Sequence, residues 1–351
     1  MNAYWLDFER MNMTRRAIYF TAHSFFLFFG YVFFLLTGKN TERGYQALVY
    51  LFCHTGGRVN ALLARIDKIW VRPLVGVQGV GVLGNATEMQ TQGVDQLRKR
   101  GYFVKQAAIP EKTCDRLMAF ALTTPAIVRP MDGEKKSSTD HMELVNIDRP
   151  PAVRYDYRVS DLLANPDVQD LLADPSLLAL AESYLGSAPR LDVLSMWWHT
   201  NFHEQPDSEA AQLYHFDIDR PRWLKVFIYL TDVNLENGPH SFIEGTHRID
   251  AIPAKFLQRG YVRLTDDEVL REYGSGREIV FSAPRGSIIA EDTIGLHKGG
   301  VVRGGARLLL QLQFSSSLFG ATYPKSVLPP VRTQILQKML ESNPTVYKGY
   351  L

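Results

Sequence analysis

His215-Phe216-Asp217 puts an imidazole and a carboxylate two residues apart, and in extended backbone residues i and i+2 point to the same face. The two groups then converge on one point. A third ligand must come from elsewhere in the chain, and His297 follows GSIIAED, which reads as a strand. Two histidines and one carboxylate on one face of an octahedral ion leave three positions open, the donor set used by ferrous oxygenases. Two open positions suit a chelating co-substrate and the third suits dioxygen. A His-x-acid pair alone carries little weight in a chain with nine histidines, and His141-Met142-Glu143 has the same form. Its polar surroundings, GEKKSSTDHME, supply no rigid strand to hold the two side chains together, so it is set aside. His199 and His203 read as hydrogen-bonded core or surface residues near the site.

The elements that must position these groups follow from hydrophobic periodicity. RLDVLSMWWHTNF, LKVFIYLTDV, HSFIEGTH, REIVFS, GSIIAED and RLLLQLQF are short β-rich runs separated by Gly, Pro and Asn turns. Ahead of them, VDQLRKRGYFVKQAAIP reads as helix, glycine turn and strand, EKTCDRLMAFAL as an amphipathic helix, and Val159 to Leu185 as a further helical stretch. Many short strands after leading helices predict a mainly β fold, a sandwich or jelly roll with flanking helices. Residues 321–351 read as a proline-containing connection and a terminal helix.

The chain has 351 residues, a formal charge of +2 and two cysteines, which excludes a nucleic-acid binder driven by overall basicity and a disulfide framework. That balance divides unevenly: residues 1–70 hold eight basic and four acidic side chains, leaving 31 basic against 33 acidic in the remainder. Within the basic part, Ala17 to Gly38 runs 22 residues without Asp, Glu, Lys or Arg, long enough as a helix to cross a bilayer core of roughly 30 Å. It reads as an uncleaved membrane anchor over 17–38, against the alternative of a helix buried in a soluble subdomain. Tyr45 to Cys53 is too short to span, and RVNALLARIDKIW is an amphipathic helix. Residues 71–93, rich in Gly and Val, read as a linker. Gly79-x-Gly81-x-x-Gly84 within it matches the dinucleotide fingerprint in form only, because Pro73 interrupts the supposed strand and no acidic residue follows at the required distance.

Taken together, YHFDIDRPRWLKVFIYLTDVNLENGPHSFIEGTHR and GSIIAEDTIGLHKGGVVRGGARLLLQLQF resemble the phytanoyl-CoA dioxygenase family of Fe(II)- and 2-oxoglutarate-dependent oxygenases, as does the entry VDQLRKRGYFVKQAAIPEKTCDRL. The resemblance spans roughly Val94 to Phe319 and implies an oxygenase domain over 94–320 with a double-stranded β-helix (jelly-roll, cupin-like) core. It implies His215, Asp217 and His297 as iron ligands and a basic residue beyond the distal histidine that pairs with the far carboxylate of 2-oxoglutarate. Arg307 opens RLLLQLQF and fits; Arg303, in a glycine-rich loop, is its competitor. Gln212 and Lys225 are further co-substrate candidates, with an ordinary solvated strand residue the plain reading of Lys225. Trp197, Trp198 and Trp223 either line the substrate cavity or pack the core. The implied activity is hydroxylation of an unactivated C–H bond of a small-molecule or lipid-like substrate, consuming O2 and releasing succinate and CO2. Asp217 favours this over halogenation, for which relatives carry a small residue at that position. Nothing identifies an acyl-CoA site. The expected setting is a catalytic domain facing the cytosol, with the N-terminal segment on the membrane. The competing readings are a tethered non-catalytic protein or a cupin-like metalloprotein independent of 2-oxoglutarate.

Overall fold

The computed structural model describes residues 13–69, 72–129, 141–207, 210–260, 263–324 and 326–351. Trp70, the first twelve residues and the polar run 133–140 beside His141 lie outside the described residues.

Alternation along the strands decides the architecture. In β11 (Ala306–Ser315), Leu308, Leu310, Leu312 and Phe314 are buried against one side of the sheet and join the largest apolar cluster, while Arg307, Leu309 and Gln311 face the other way. β11 lies between β5 (Arg190–Thr200) and β6 (Trp223–Tyr229), pairing antiparallel with both. Around them run β1 (Tyr102–Lys105), β2 (Ala126–Arg129), β3 (Met142–Glu143), β4 (Arg154–Asp156) and β9 (Ile288–Glu291). The large sheet has the order β1-β9-β6-β11-β5-β4-β2-β3. A second sheet is formed by β7 (His240–Ile243), β8 (Glu278–Val280) and β10 (His297–Gly299) in the order β8-β7-β10. The two sheets form the double-stranded β-helix, and helices cover the outer face of the larger one.

The stretch read as one helix from Val159 to Leu185 is three, Val159–Ala164, Pro166–Leu172 and Pro175–Leu185. Pro166 and Pro175 cannot continue a preceding helix, and the Asn165 and Asp174 side chains cap the new N-termini by accepting backbone N–H bonds. Asp174 also explains why residues 71–93 do not behave as a linker. Its carboxylate accepts from Val82 N–H, Ser176 accepts from Leu83 N–H, and Val77, Leu83, Ala86 and Met89 enter the main core. Gly79, Gly81 and Gly84 therefore lie in a two-residue hairpin (Val80–Gly81 with Gly84–Asn85) clamped to a helix start, and an added Cβ at Gly81 would stand 2.3 Å from Asp174 Oδ1.

The N-terminal apolar segments form a helical hairpin, α1 (Met13–Thr37) and α2 (Glu42–Thr55), followed by α3 (Arg58–Ile69). Gly30 and Gly44 let α1 and α2 meet closely: a Cβ at Gly30 would stand 2.8 Å from Gly44 Cα. The Tyr31 hydroxyl donates to buried Asp67 on α3 at 2.6 Å, and the Tyr31 and Phe34 rings rest on Phe319 of the β body. One face of α1 is thus tied along the protein, while Ile18, Phe25, Phe28, Phe29, Phe33 and Leu36 remain exposed. This arrangement matches neither a free spanning helix nor a fully buried one.

Candidate active site

Phe216 stands between a bridged residue and a hydrogen-bonded one rather than in a regular strand. His215 and His297 form an antiparallel pair that exchanges both backbone hydrogen bonds, at 3.0 and 2.9 Å, and Asp217 N–H donates to Thr293 O at 2.9 Å. Pairing at residue 215 and again at 217 holds both side chains on the inner face, and Phe216 turns outward onto Phe52 of α2 with ring centres 5.8 Å apart.

Each histidine is oriented by its own backbone. His215 Nδ1 lies 2.9 Å from Leu213 O, and His297 Nδ1 lies 2.9 Å from Gly295 O. A carbonyl only accepts, so each Nδ1 carries a proton and each Nε2 is the ring atom left to face a metal. Burial, reinforced by the neighbouring His297, holds His215 well below the usual imidazole range and keeps it neutral. Asp217 Oδ1 is 3.9 Å from His215 Nε2 and Asp217 Oδ2 is 3.3 Å from His297 Nε2; the three ligand atoms lie within 4.8 Å of one another. Burial pushes the Asp217 carboxyl up, but Lys225 and His297 outweigh it and hold it well below the usual carboxylate range. Two imidazoles and one carboxylate, all buried, fit a divalent metal ion.

Lys225 is buried, not solvated. Its ammonium sits 2.5 Å from Asp217 Oδ2. Burial lowers its pKa, but Asp217 and Asp219 outweigh that and raise it, so it stays charged. Its cross-strand partner on β9 is Glu291, fully buried, which takes a 3.1 Å contact with His240 Nε2.

Arg307 lies in the same cavity as the triad, which encloses about 270 Å³. It is 2 % exposed, its Nη2 donates to His199 Nδ1 at 2.6 Å, and its Nε and Nη1 have no partner among the described residues. The register explains the meeting: Arg154, His199 and Arg307 stand side by side across β4, β5 and β11. Because guanidinium cannot accept, His199 Nδ1 does, leaving His199 neutral; burial, then Arg307 and Arg154, hold its pKa well below the ordinary range. A buried cation with two orphaned donors fits an anionic ligand group. Gly299 leaves the room it needs, since a Cβ there would stand 3.3 Å from Arg307 Nη2.

The other sequence candidates separate. Arg303 is exposed, with its backbone N–H on Glu236 O, and does not line the cavity. Gln212 does not line it either: its Oε1 accepts from Asp207 N–H and its own N–H donates to Asp207 O, so the side chain closes a loop. Alternation splits the tryptophans, with Trp197 lining the cavity and Trp198 on the opposite face donating to the Tyr157 hydroxyl. Trp223 donates to Thr293 Oγ1 as packing. His141 is exposed and faces Glu143. Arg154, Arg263, His240, Ser195 and Gln311 line the cavity without having been singled out. Lone polar residues inside apolar strands were the available signal for Ser195 and Gln311; Arg154, opening the three-residue β4, and Arg263, in an irregular stretch, carried none.

No curated protein matches the chain in sequence. Among solved structures, it is similar to EctD from S. alaskensis in its apoform, with 18% identity and a TM-score of 0.47 over 76% of this chain and 95% of that one. It is also similar to the epimerase SnoN in complex with Fe3+, alpha ketoglutarate and nogalamycin RO, with 16% identity and a TM-score of 0.46 over 70% of this chain and 94% of that one. HygX from Streptomyces hygroscopicus has 15% identity and a TM-score of 0.45 over 66% of this chain and 88% of that one. The profile of the phytanoyl-CoA dioxygenase (PhyH) family matches residues 97–305, a span that contains His215, Asp217 and His297 and stops just before Arg307. With more than half of its length in that match, the chain belongs to the phytanoyl-CoA dioxygenase family.

Proposed function

We propose that this protein is an Fe(II)- and 2-oxoglutarate-dependent oxygenase that hydroxylates an unactivated C–H bond of a small-molecule or lipid-like substrate. The observation that carries this reading is the shared cavity: a buried His/Asp/His cluster and a buried arginine with no carboxylate partner among the described residues line the same 270 Å³. Ferrous iron, when bound with 2-oxoglutarate, supplies the oxidising chemistry with O2, yielding succinate and CO2. His215, His297 and Asp217 are the residues to hold the metal, and Lys225 keeps the Asp217 carboxylate ionised and oriented. Arg307 grips the far carboxylate of the co-substrate through donors that are otherwise idle. Trp197, Phe227 and Leu309 make the remaining wall apolar and exclude water. The carboxylate of Asp217 favours hydroxylation over halide transfer. A cavity below the roughly 300–1,000 Å³ of sites for drug-sized ligands admits the co-substrate and only the reacting end of a substrate.

Anaerobic addition of Fe(II) and 2-oxoglutarate is expected to give a visible charge-transfer band, and air is expected to start slow succinate formation even without substrate. A protein that binds Fe(II) but gives neither band nor succinate would be a cupin-like metalloprotein of another kind, and the proposal would fall.

The exposed apolar face of α1 supports attachment to a membrane surface, with the helix lying in the interface. α1 contains no acidic residue, and Arg15, Arg16, Lys39 and Arg43 flank its apolar run, a charge pattern complementary to anionic lipid. Perpendicular insertion would require breaking the buried Tyr31–Asp67 bond and drawing the hairpin off the β body. The catalytic body then faces the cytosol, where ferrous iron and 2-oxoglutarate are available. Sedimentation with phosphatidylglycerol vesicles is expected to carry the protein down, and Phe25→Glu with Phe29→Glu to reduce binding at least tenfold with Tm unchanged. Dimerisation of the wild type through this face, with no vesicle binding, would defeat the assignment.

A further inference from the structure

A second cavity, about 440 Å³, lies where the α2–α3 turn meets the β body, and it shares no lining residue with the catalytic cavity. Its volume falls in the roughly 300–1,000 Å³ range of ligand pockets. The Phe52 and Phe216 rings separate the two, since Phe216 faces away from the metal ligands on either side of it. Phe52, Asn60 and Ala61 precede the family-matched residues 97–305, so the N-terminal helices complete this pocket.

The lining has two characters. Phe52, Ile249, Ile252, Leu257 and Ile294 form an apolar wall, with Ile249 half exposed at the mouth. Arg98, Arg222 and Arg248 line the pocket as well. Arg98 and Arg248 donate to neutral backbone carbonyls, of Ser183 and Lys99, and the Arg222 guanidinium lies over the Tyr184 ring at 4.6 Å. The carboxylate in the lining, Asp292, accepts from the Tyr184 hydroxyl at 2.5 Å, and Asp250 at the rim is paired with Arg58. Three cations against one carboxylate leave net positive charge beside an apolar wall. Lys68 on α3 adds to it: burial, then repulsion from Arg222, Arg98 and Arg65, lowers its pKa. Asn60 Oδ1, in a residue 2 % exposed, has no hydrogen-bond partner among the described residues.

We infer that this pocket is a second binding site, for an anionic amphiphile whose carboxylate or phosphate head meets the arginines and whose alkyl chain lies on the Phe52–Leu257 wall. The inference is independent of the oxygenase reading. Titration calorimetry of the full chain tests it with dodecanoate and dodecyl phosphate below their micelle concentrations, and with acetate and inorganic phosphate as headgroups alone. One dodecyl ligand per chain is expected, with no detectable binding of either headgroup. Arg98→Glu with Arg248→Glu, both at exposed positions, is expected to weaken binding at least tenfold. Ala61→Trp, which fills the cavity from α3, is expected to abolish it, and Arg307→Met to leave it unchanged. Absence of binding to the wild type overturns the inference, as does binding that survives Ala61→Trp and the arginine reversal, or that is lost with Arg307→Met.

Discussion

Asp217→Ala is expected to cost at least about 100-fold in Fe(II) affinity and to abolish the 2-oxoglutarate absorption band, beyond the 10–100-fold typical of losing an outer-shell partner. The reason is that Asp217 is the one carboxylate in the ligand cluster and the only group there whose charge opposes the metal's. A second effect accompanies the first. Lys225 is buried with its ammonium on Asp217 Oδ2, so removing the carboxylate takes away its nearest counter-charge and leaves Asp219 as the next, at a cost of at most the about 3–5 kcal/mol of other broken buried pairs. The double substitution Asp217→Ala, Lys225→Met is expected to recover most of the melting temperature while leaving metal binding lost. Metal analysis after gel filtration and calorimetric melting read the two effects separately. Wild-type iron content in the single variant would eliminate Asp217 as a ligand.

Arg307→Met should act in the opposite sense on stability. In the ligand-free protein its guanidinium is buried with no carboxylate beside it among the described residues, so an apolar side chain of similar length removes a desolvated charge and leaves Tm unchanged or higher. On catalysis the loss is large. Two charge-assisted hydrogen bonds at about 1.5–3 kcal/mol each correspond to a rise of roughly 10²–10⁴ in KM for 2-oxoglutarate. Iron content is expected to stay at the wild-type level, because Arg307 is not part of the ligand cluster. Pyruvate, which lacks the far carboxylate, provides the control: the wild type should discriminate strongly against it, and the variant hardly at all. A variant that keeps its KM for 2-oxoglutarate would transfer the anchoring role to Arg154 or Arg263, the other arginines that line the cavity.

How much of this was legible before folding depends on the reach of the interaction. The His-x-Asp spacing, the distal histidine and the alternation in RLLLQLQF are local patterns, and each translates directly into a facing direction in extended backbone. Gln212 illustrates the limit: it is close to the ligands in sequence, yet its amide closes a loop on Asp207, a competition between two hydrogen-bond partners that spacing does not report. Lys225 illustrates the converse, since a lysine in an apolar strand looks solvated until the sheet seals its face and Asp217 arrives from eight residues away to neutralise it. Residues 71–93 have a linker's composition, but Asp174 and Ser176 supply the hydrogen bonds their backbone needs, so they pack.

The sequence by itself determined the donor types, the inward face of each long strand, the β-rich class of the body and the uncharged length of α1, because all of these follow from neighbours along the chain. Only the tertiary structure decided which charges meet. The cross-strand row of Arg154, His199 and Arg307, the Asp217–Lys225 pair and the Tyr31–Asp67 bond that lays α1 along the body all join residues from separate elements. Their energies depend on burial and register, and both come into being only when the two sheets and the helical hairpin close around them.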